Sequence, residues 1–482
     1  MSSAVFVVNA GPIIGLGHLM RCLTLALRLR LFGWQCRFAG DDGVCSFINP
    51  LLPEEFQPAI ALGPDLHADR VFDIDTPDML IVDHYGLGRD FEQRFNARCT
   101  LVIDDLANRS HHADWLLDQT LGRQPGDYAG FVPADCRFMV GSEFALLKPA
   151  FAQYPPNRTG RSLKRVLISL GGTDSQGLTL RILEMWRELP VELQADVIVT
   201  RAMPFRQAVL DIARDLPNVT VHCDVASLAP LMREADLAIG AGGTTSWERC
   251  ATGLPTLLIR VADNQKAVIA ALVRAGAGLD LGMDDSGLAV RLTAALTEFT
   301  LNPSMLADMA VAAAKICDGF GTGRVLCALA GTVRLDDDAE VRLDVMTHAE
   351  SALLFEWQTL PEIRRYARNP KPPTLSEHVR WYGSRVGSPD RIFTQVLLNN
   401  KAVGMLRLDP RDGRKTAFEV SILIDPRVQG RGAGLAALQL GRRLAPAADL
   451  WAYIMEENVA SQRLFKAAGY NPVGENWHLN CA

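Results

Sequence analysis

Over the first 330 residues one pattern recurs. A short run of consecutive apolar residues is followed by a turn and then by apolar positions at helical spacing. The runs are Ala4–Asn9, Met79–Asp83, Leu101–Asp104, Val166–Leu170, Ala195–Thr200, Leu237–Gly240 and Thr256–Ile259. Runs that are apolar at every position predict parallel strands covered on both faces. The length suits two such sheets better than one. Between them, Gln153–Arg165 (QYPPNRTGRSLKR) is basic, rich in proline and lacks an apolar period, so it reads as a linker. A second break is expected at Gly331–Glu340, whose Asp336, Asp337 and Asp338 read as a solvated loop.

From Val341 onward the pattern changes. Strands are predicted at Val341–Met346, Thr394–Leu398, Ala402–Asp409, Phe418–Ile424 and Leu450–Met455, and helices at Leu435–Leu444 and in a stretch closing at Gly469. This is an α+β meander. The chain thus divides into residues 1–152, 160–330 and 340–482, matching the roughly three domains that 482 residues suggest.

Composition narrows the class. Hydrophobic residues are 48% and charged residues 22%, which excludes wholesale disorder. The net charge of -6 argues against a dedicated nucleic-acid binder. The ten cysteines are scattered without a C-x-x-C pair, suggesting neither a zinc site nor a disulfide framework, and no metal is expected. The apolar N-terminus has no Lys or Arg before its run and is broken by Asn9, Gly11 and Pro12, so a strand explains it better than a signal peptide. A soluble cytoplasmic protein is expected, with no membrane or nucleic-acid partner.

Three groups of residues carry candidate chemistry. The first follows the first strand: Gly11-Pro-Ile-Ile-Gly15-Leu-Gly17-His18, then a helix. Met20 occupies the third glycine position of a dinucleotide fingerprint, so that motif fails. What remains is a histidine in the first turn of a helix, at the sheet edge where such folds bind ligands. The helix dipole there favours neutral imidazole, which can act as a base; capping of the turn is the alternative. Asp83-His84-Tyr85 and Asp104-Asp105 stand at the ends of two further strands and face the same edge. Any one could be a turn cap, but three such clusters in one sheet suggest a site.

The second group is Gly171-Gly172-Thr173-Asp174 and Gly242-Gly243-Thr244-Thr245-Ser246-Trp247-Glu248. Glycines followed by hydroxyl residues at a helix start suit a diphosphate, although N-capping alone would also use Thr244–Ser246. Glu248 can accept hydrogen bonds from ribose hydroxyls. Asn264 and Gln265 offer amides at the same edge.

These segments (GLGHLMRCLTLA, IVDHYGL, IDDLANRSHHADWLLDQ, SLGGTD and GAGGTTSWERCATGLPTLLI) resemble the UDP-sugar hydrolase of pseudaminic acid biosynthesis, over about residues 4–325. That family cleaves UDP-2,4-diacetamido-2,4,6-trideoxy-β-L-altropyranose, and its fold is similar to that of GT-B glycosyltransferases. The resemblance implies two Rossmann-like domains in a GT-B-like arrangement, with a nucleotide sugar in the cleft and no metal. It implies that His18 orients or deprotonates water. Gly172, Thr173, Asp174, Gly243, Thr244, Thr245, Ser246, Glu248, Asn264 and Gln265 would hold UDP. Gly17, Arg21, Asp83, His84, Tyr85, Asp104 and Asp105 would line the sugar side.

The third group follows the strand ending at Ile424: Asp425-Pro-Arg-Val-Gln429-Gly430-Arg431-Gly432-Ala433-Gly434, a Q-x-x-G-x-G turn opening a helix. Successive backbone amides there can cradle the pyrophosphate of acetyl-CoA. With Glu456-Glu457-Asn458 and SQRLFKAAGY this resembles a GNAT N-acetyltransferase over about residues 340–480, in which Asn458 would meet the pantetheine arm. Arg368-Asn-Pro…Ser376-Glu-His378-Val-Arg-Trp381-Tyr382 further resembles the acetyltransferase of the same pathway, which acetylates the 4-amino group of the UDP-sugar.

Glu419 is the candidate base, acting through water; its alternative is a sheet-surface carboxylate. Many such enzymes use a tyrosine as general acid where this chain has Phe465, with Tyr453 and Tyr470 as possible substitutes. Trp357, Trp381 and Tyr382 read as core before pocket. His112, His222, His348 and His478 carry no context.

The expectation is a bifunctional enzyme. The alternatives are a GT-B-like glycosyltransferase, a hydrolase of another UDP-amino sugar of legionaminic or bacillosamine type, and a degenerate acetyl-CoA-binding module at the C-terminal end.

Overall fold

A computed structural model describes residues 2–480 except 13, 64–75, 96, 154–157, 159, 190–191 and 412–415. Ile13 of the first glycine turn and most of the Pro-rich stretch of the expected linker therefore lie outside the described residues. Contacts divide the described chain into two compact units. One comprises Val5–Thr24 and Arg37–Gly321; the other runs from Thr322 onward and includes Leu25–Cys36.

The larger unit holds two sheets. The first contains β1 (Ser3–Val8), β2 (Gln35–Gly40), β3 (Ile60–Ala61), β4 (Met79–Asp83), β5 (Cys99–Ile103), β6 (Trp115–Asp118) and β7 (Arg137–Val140), in the order β3-β2-β1-β4-β5-β6-β7. The second contains β8 (Arg165–Ser169), β9 (Gln194–Val199), β10 (Val219–Cys223), β11 (Leu237–Ala241), β12 (Thr256–Arg260) and β13 (Gly278–Met283), in the order β10-β9-β8-β11-β12-β13. The ladders β2–β3, β4–β5, β5–β6 and β6–β7 and those of the second sheet are parallel. These are two Rossmann-like domains.

The reason the strands read as unbroken apolar runs is visible in the packing. Val166, Ile168, Ile239 and Ile259 enter one core cluster, while their neighbours Leu167, Ala238 and Leu258 enter another on the opposite face. Burying each large side chain is worth about 1.5–3 kcal/mol, so both faces demand apolar residues. Strands β2, β6, β7, β10 and β13 were not expected. β10 is an edge strand with no fully buried residue, and β2 carries exposed Gln35 and Arg37, so neither shows the continuous apolar signal.

Arg158, from the expected linker, is buried and donates to the backbone carbonyls of Met232 (2.7 Å), Ala235 and Gly253 (2.9 Å). This part of the stretch is pinned rather than free.

The other unit is built on an eight-stranded sheet, β14 (Thr332–Arg334), β15 (Glu340–Val345), β16 (Ile392–Leu398), β17 (Lys401–Pro410), β18 (Ala417–Ile424), β19 (Asp449–Tyr453), β20 (Asn471–Val473) and β21 (Asn476–Leu479), ordered β14-β15-β16-β17-β18-β19-β21-β20. Only β18–β19 is parallel. The break expected at Gly331–Glu340 is a hairpin: Val333 pairs with Val341, and Asp337 of its turn holds Arg431 at 2.7 Å. The closing hairpin β20–β21, after Gly469, was also not foreseen.

Residues 25–36 contribute to this unit's packing. The rings of Phe32 and Phe418 lie 5.5 Å apart, and Arg28 donates to the carbonyl of Arg391 at 3.0 Å. No described helix is long and apolar enough to cross a membrane.

Candidate active sites

In both sheets of the larger unit the strand order reverses beside the first strand, between β1 and β4 and between β8 and β11. Ligands of open α/β sheets bind in the crevice at that switch point. His18, Asp83, Thr173 and Thr244 all follow or end these four strands.

The two glycine turns approach each other closely. A Cβ on Gly172 would fall 2.9 Å from Leu16 Cδ1, and one on Gly17 would fall 3.4 Å from Thr244 Oγ1. Asn264 Nδ2 also donates to Tyr85 Oη at 3.3 Å.

His18 sits in the first turn of α1 (Gly17–Leu31), and its ring packs edge-on to Tyr85, with centroids 4.5 Å apart. Its Nδ1 lies 2.5 Å from Asp83 Oδ1. A carboxylate can only accept, so Nδ1 carries the hydrogen and Nε2 presents a lone pair. Arg21 clamps the same carboxylate, Nε to Oδ2 and Nη2 to Oδ1, both 2.6 Å, with Nη2 also 3.1 Å from His18 Nδ1, and reaches Asp105 Oδ2 at 3.2 Å. Asp83 is fully buried. Burial alone would raise its pKa, but the charge of Arg21 and the hydrogen bonds from Arg21 and His18 outweigh that and hold it well below the carboxylate range.

Tyr85 is pushed up by burial and by Asp105, so its hydroxyl stays protonated. His84 is pushed down to about 4 by burial and then by His18, and its Nδ1 accepts from the Gly86 amide at 3.0 Å. Its Nε2 therefore carries the hydrogen.

Asp104 is committed inside the protein. Its Oδ2 accepts from the amides of Leu106 (3.2 Å) and Ala107 (2.8 Å) and from Tyr128 Oη (2.9 Å), and its Oδ1 pairs with Arg109 at 2.6 Å. Arg109 also ties the carbonyls of His84 (2.9 Å) and Leu87 (2.7 Å), so Asp104 supports the loop that presents His84 and Tyr85.

On the second sheet, Thr244–Ser246 lead into the helix Thr245–Ala251. Beneath this turn lies Arg249, 2% exposed, whose Nη2 donates to the Ala241 carbonyl (2.6 Å) and Ser246 Oγ (3.0 Å). A Cβ on Gly240 would collide with its guanidinium, which is why that position is glycine. Sequence inspection overlooked Arg249; a cation one position after Glu248, in the helix that the glycine turn opens, was the available signal. Glu248 Oε2 is buried without a hydrogen-bond partner among the described residues, and burial pushes the carboxyl up to about 7 against the opposing charges of Lys148 and Arg249.

Two expected UDP ligands have structural duties. Asp174 caps the helix Leu178–Arg187 through the amides of Leu178 (3.0 Å) and Thr179 (2.9 Å). Gln265 Oε1 accepts from Gly242 (3.3 Å) and Val261 (3.2 Å).

In the other unit, Gly430 and Gly432 adopt φ +80° and +88°, in the left-handed region that favours glycine. A Cβ on Gly430 would meet nothing within 4 Å, so this backbone is open to a ligand. Gly434 opens the helix Ala433–Leu444 against Leu464 and Ile424. This fits a cradle for the coenzyme pyrophosphate. Gln429 Nε2 donates back to the Ile424 carbonyl at 3.1 Å, and Arg431 is held by Asp337.

β18 and β19 pair only through Glu419↔Trp451 and then part, leaving Val420–Ile424 and Ala452–Tyr453 unpaired with each other. Glu419 stands where they part and is engaged by Arg368, whose Nη2 lies 3.0 Å from Oε1 and 3.1 Å from Oε2. Asn458 Oδ1 caps the helix Val459–Ala467 through Ser461 N at 3.1 Å. Phe465 is buried edge-on against Tyr470, while Tyr453 is 41% exposed. Trp357 donates to Asp425 at 3.2 Å and Tyr382 to the Thr347 carbonyl, and both rings are core.

Residues 340–471 match the family model described as the acetyltransferase (GNAT) domain. The N-terminal half is similar to the UDP-2,4-diacetamido-2,4,6-trideoxy-beta-L-altropyranose hydrolase of Campylobacter jejuni, 26% identical over 231 residues, covering 47% of this chain and 80% of that protein. It is also similar to the spore coat polysaccharide biosynthesis protein SpsG of Bacillus subtilis, 26% identical over 280 residues, 56% of this chain and 81% of that one. The uncharacterized protein MJ1062 of Methanocaldococcus jannaschii is 21% identical over 480 residues, 95% of this chain and 94% of that one. The chain thus combines a pair of Rossmann-like domains, similar to those relatives, with a region that matches the acetyltransferase (GNAT) domain model.

Proposed function

We propose that the protein is a bifunctional enzyme of pseudaminic acid biosynthesis. The Rossmann-like pair hydrolyses UDP-2,4-diacetamido-2,4,6-trideoxy-β-L-altropyranose to UDP and the free sugar. The acetyltransferase domain transfers the acetyl group of acetyl-CoA to the 4-amino group of the UDP-sugar precursor. The observation that carries the hydrolase reading is the buried Asp83–His18 pair, 2.5 Å apart. It leaves Nε2 of His18 unpartnered among the described residues.

Water attacks the anomeric carbon while Nε2 takes its proton, a contribution on the order of 10²–10⁴ in rate. The bond from that carbon to the diphosphate oxygen breaks, and UDP leaves with the electron pair. Asp83 stabilises the imidazolium that forms, and Arg21 keeps Asp83 ionised. Amides and hydroxyls of Gly172, Thr173, Gly243, Thr244, Thr245 and Ser246 receive the diphosphate charge. Glu248 accepts from the ribose.

At the other site the amine nitrogen attacks the thioester carbon and the carbon–sulfur bond breaks. The proton of the ammonium passes through water to Glu419. The thiolate takes its proton from solvent or from Tyr453, since Phe465 has none to give.

The test incubates the protein with UDP-4-amino-4,6-dideoxy-β-L-N-acetylaltrosamine, with and without acetyl-CoA, and reads products by mass spectrometry. UDP and the free diacetamido sugar should appear only with acetyl-CoA. A glycoside in place of free sugar, or no reaction of the pre-acetylated UDP-sugar, would overturn the hydrolase reading.

A further inference from the structure

On β17, Leu406 faces the helix Ala433–Leu444, because a Cβ on Gly441 of that helix would fall 2.7 Å from Leu406 Cδ2. Alternation then sends Arg407 and Asp409 to the opposite face. Register places Phe393 and Ser421 beside Arg407, Glu419 beside Asp409, and Trp451 beside Glu419. This face is a layer of guanidinium groups on aromatic rings. Trp381 lies between two of them, Arg385 at 4.8 Å and Arg407 at 5.1 Å from its centroid. Arg368 lies 4.8 Å from the Tyr453 ring while holding Glu419, so it spans the parted strands.

The charges on this face do not balance. Four guanidinium groups face three carboxylates: Arg391 pairs with Asp390 (3.2 Å) and Asp409 (3.0 Å), Arg407 also with Asp409 (2.5 Å), and Arg368 with Glu419. Arg385 makes no close ion pair among the described residues, and Asp409 acts on it only from a distance; its Nη1 reaches Ser384 Oγ (2.8 Å) and the Trp381 carbonyl (3.3 Å), and its Nε is buried without a hydrogen-bond partner. Burial lowers the pKa of both Arg385 and Arg407, and each is further disfavoured by a neighbouring guanidinium. An anion here would relieve that crowding, and planar guanidinium groups suit phosphate oxygens.

We propose that Arg368, Arg385 and Arg407, arrayed on Trp381 and Tyr453, bind the diphosphate of a nucleotide-linked acceptor amine. Arg368 exchanges Glu419 for the diphosphate, and the carboxylate is freed only when the correct acceptor is bound. The acetyltransferase thereby selects the amine in its nucleotide-linked form. This rests on the reading of the domain as an acetyltransferase of a UDP-sugar.

The experiment titrates the full chain with UDP by calorimetry and, separately, measures acetylation of the UDP-linked amine and of the same amino sugar without its nucleotide. Two UDP molecules should bind per chain, and Arg385→Gln should weaken one of them at least tenfold. Arg368→Gln, at an exposed position whose loss leaves folding intact, should raise KM for the UDP-linked amine about tenfold. It should leave KM for acetyl-CoA unchanged and, because Glu419 is then free without the diphosphate, raise turnover of the unlinked amine; Arg368→Lys should restore part of the loss. Desulfo-CoA should bind without displacing either UDP.

One UDP per chain, with KM unmoved by either substitution, would overturn the proposal. Displacement of the second UDP by desulfo-CoA would also overturn it, because the anion site would then belong to the coenzyme. Two UDP sites that respond to the substitutions, in a chain that acetylates no UDP-sugar, would uphold the anion site and refute the acceptor reading.

Discussion

The Asp83–His18–Arg21 cluster and the Gln429–Gly434 turn assemble their chemistry in opposite ways. In the first, side chains do the chemistry and each is fixed by another before any substrate arrives. Asp83 is fully buried, gripped by a bidentate guanidinium and facing one nitrogen of the proposed base. In the second, the backbone does the binding. Gly430 and Gly432 hold left-handed conformations that expose amides, while Glu419, the proposed base, is tied to Arg368. A water-activating site needs a base of fixed tautomer and direction, because water brings no orientation of its own. An acyl-transfer site receives an activated thioester, so shape matters more than a preformed base.

The largest effect expected from this contrast is at His18. His18→Ala should reduce UDP release by about 10³-fold while acetylation proceeds at its normal rate, measured as coenzyme A thiol release. An equal fall in both activities would show that the substitution disturbs the fold instead.

Asp83→Asn comes next. An amide can donate to Nδ1 and invert the tautomer, and it leaves buried Arg21 with only the partly exposed Asp105 as counter-charge. UDP release should fall about 10²–10³-fold, with chain stability falling by about 3–5 kcal/mol in denaturant unfolding. Unchanged turnover would remove the dyad from the mechanism.

On the other side of the comparison, Gly432→Ala at φ +88° should strain the turn by about 1–2 kcal/mol and raise KM for acetyl-CoA roughly tenfold. UDP release should not move.

The smallest effect is a pH dependence. Glu248 titrates near 7 in the free protein, because burial favours its neutral form. If its carboxylate accepts ribose hydroxyls, the bound state needs the ion, so binding releases a proton. UDP affinity should therefore rise as pH goes from 6 to 8, by up to about tenfold, and Glu248→Gln should flatten the dependence.

Much was legible in the chain. Both double-wound sheets announced themselves because their central strands are buried on two faces. His18, Asp83, the Thr244 turn and the Q-x-x-G-x-G turn could be singled out as candidates because glycine, hydroxyl and titratable residues stand there at the ends of apolar strands. Edge strands such as β10 escaped because their residues are only partly buried, whereas the acidic run 336–338 is the exposed loop it was read as, closing a hairpin whose first strand, β14, was not foreseen.

The sequence alone determined which residue types stand at which strand ends, since local propensity and apolar periodicity are properties of neighbours along the chain. Only the tertiary structure decided what each does. It joined Asp83 to His18 across 65 positions, turned Asp174 and Gln265 into supports of the backbone, put Arg249 beneath the glycine turn, and drew Arg368 onto Glu419 from 51 positions away. Those pairings depend on burial and opposite charge acting through space, and no spacing along the chain encodes them.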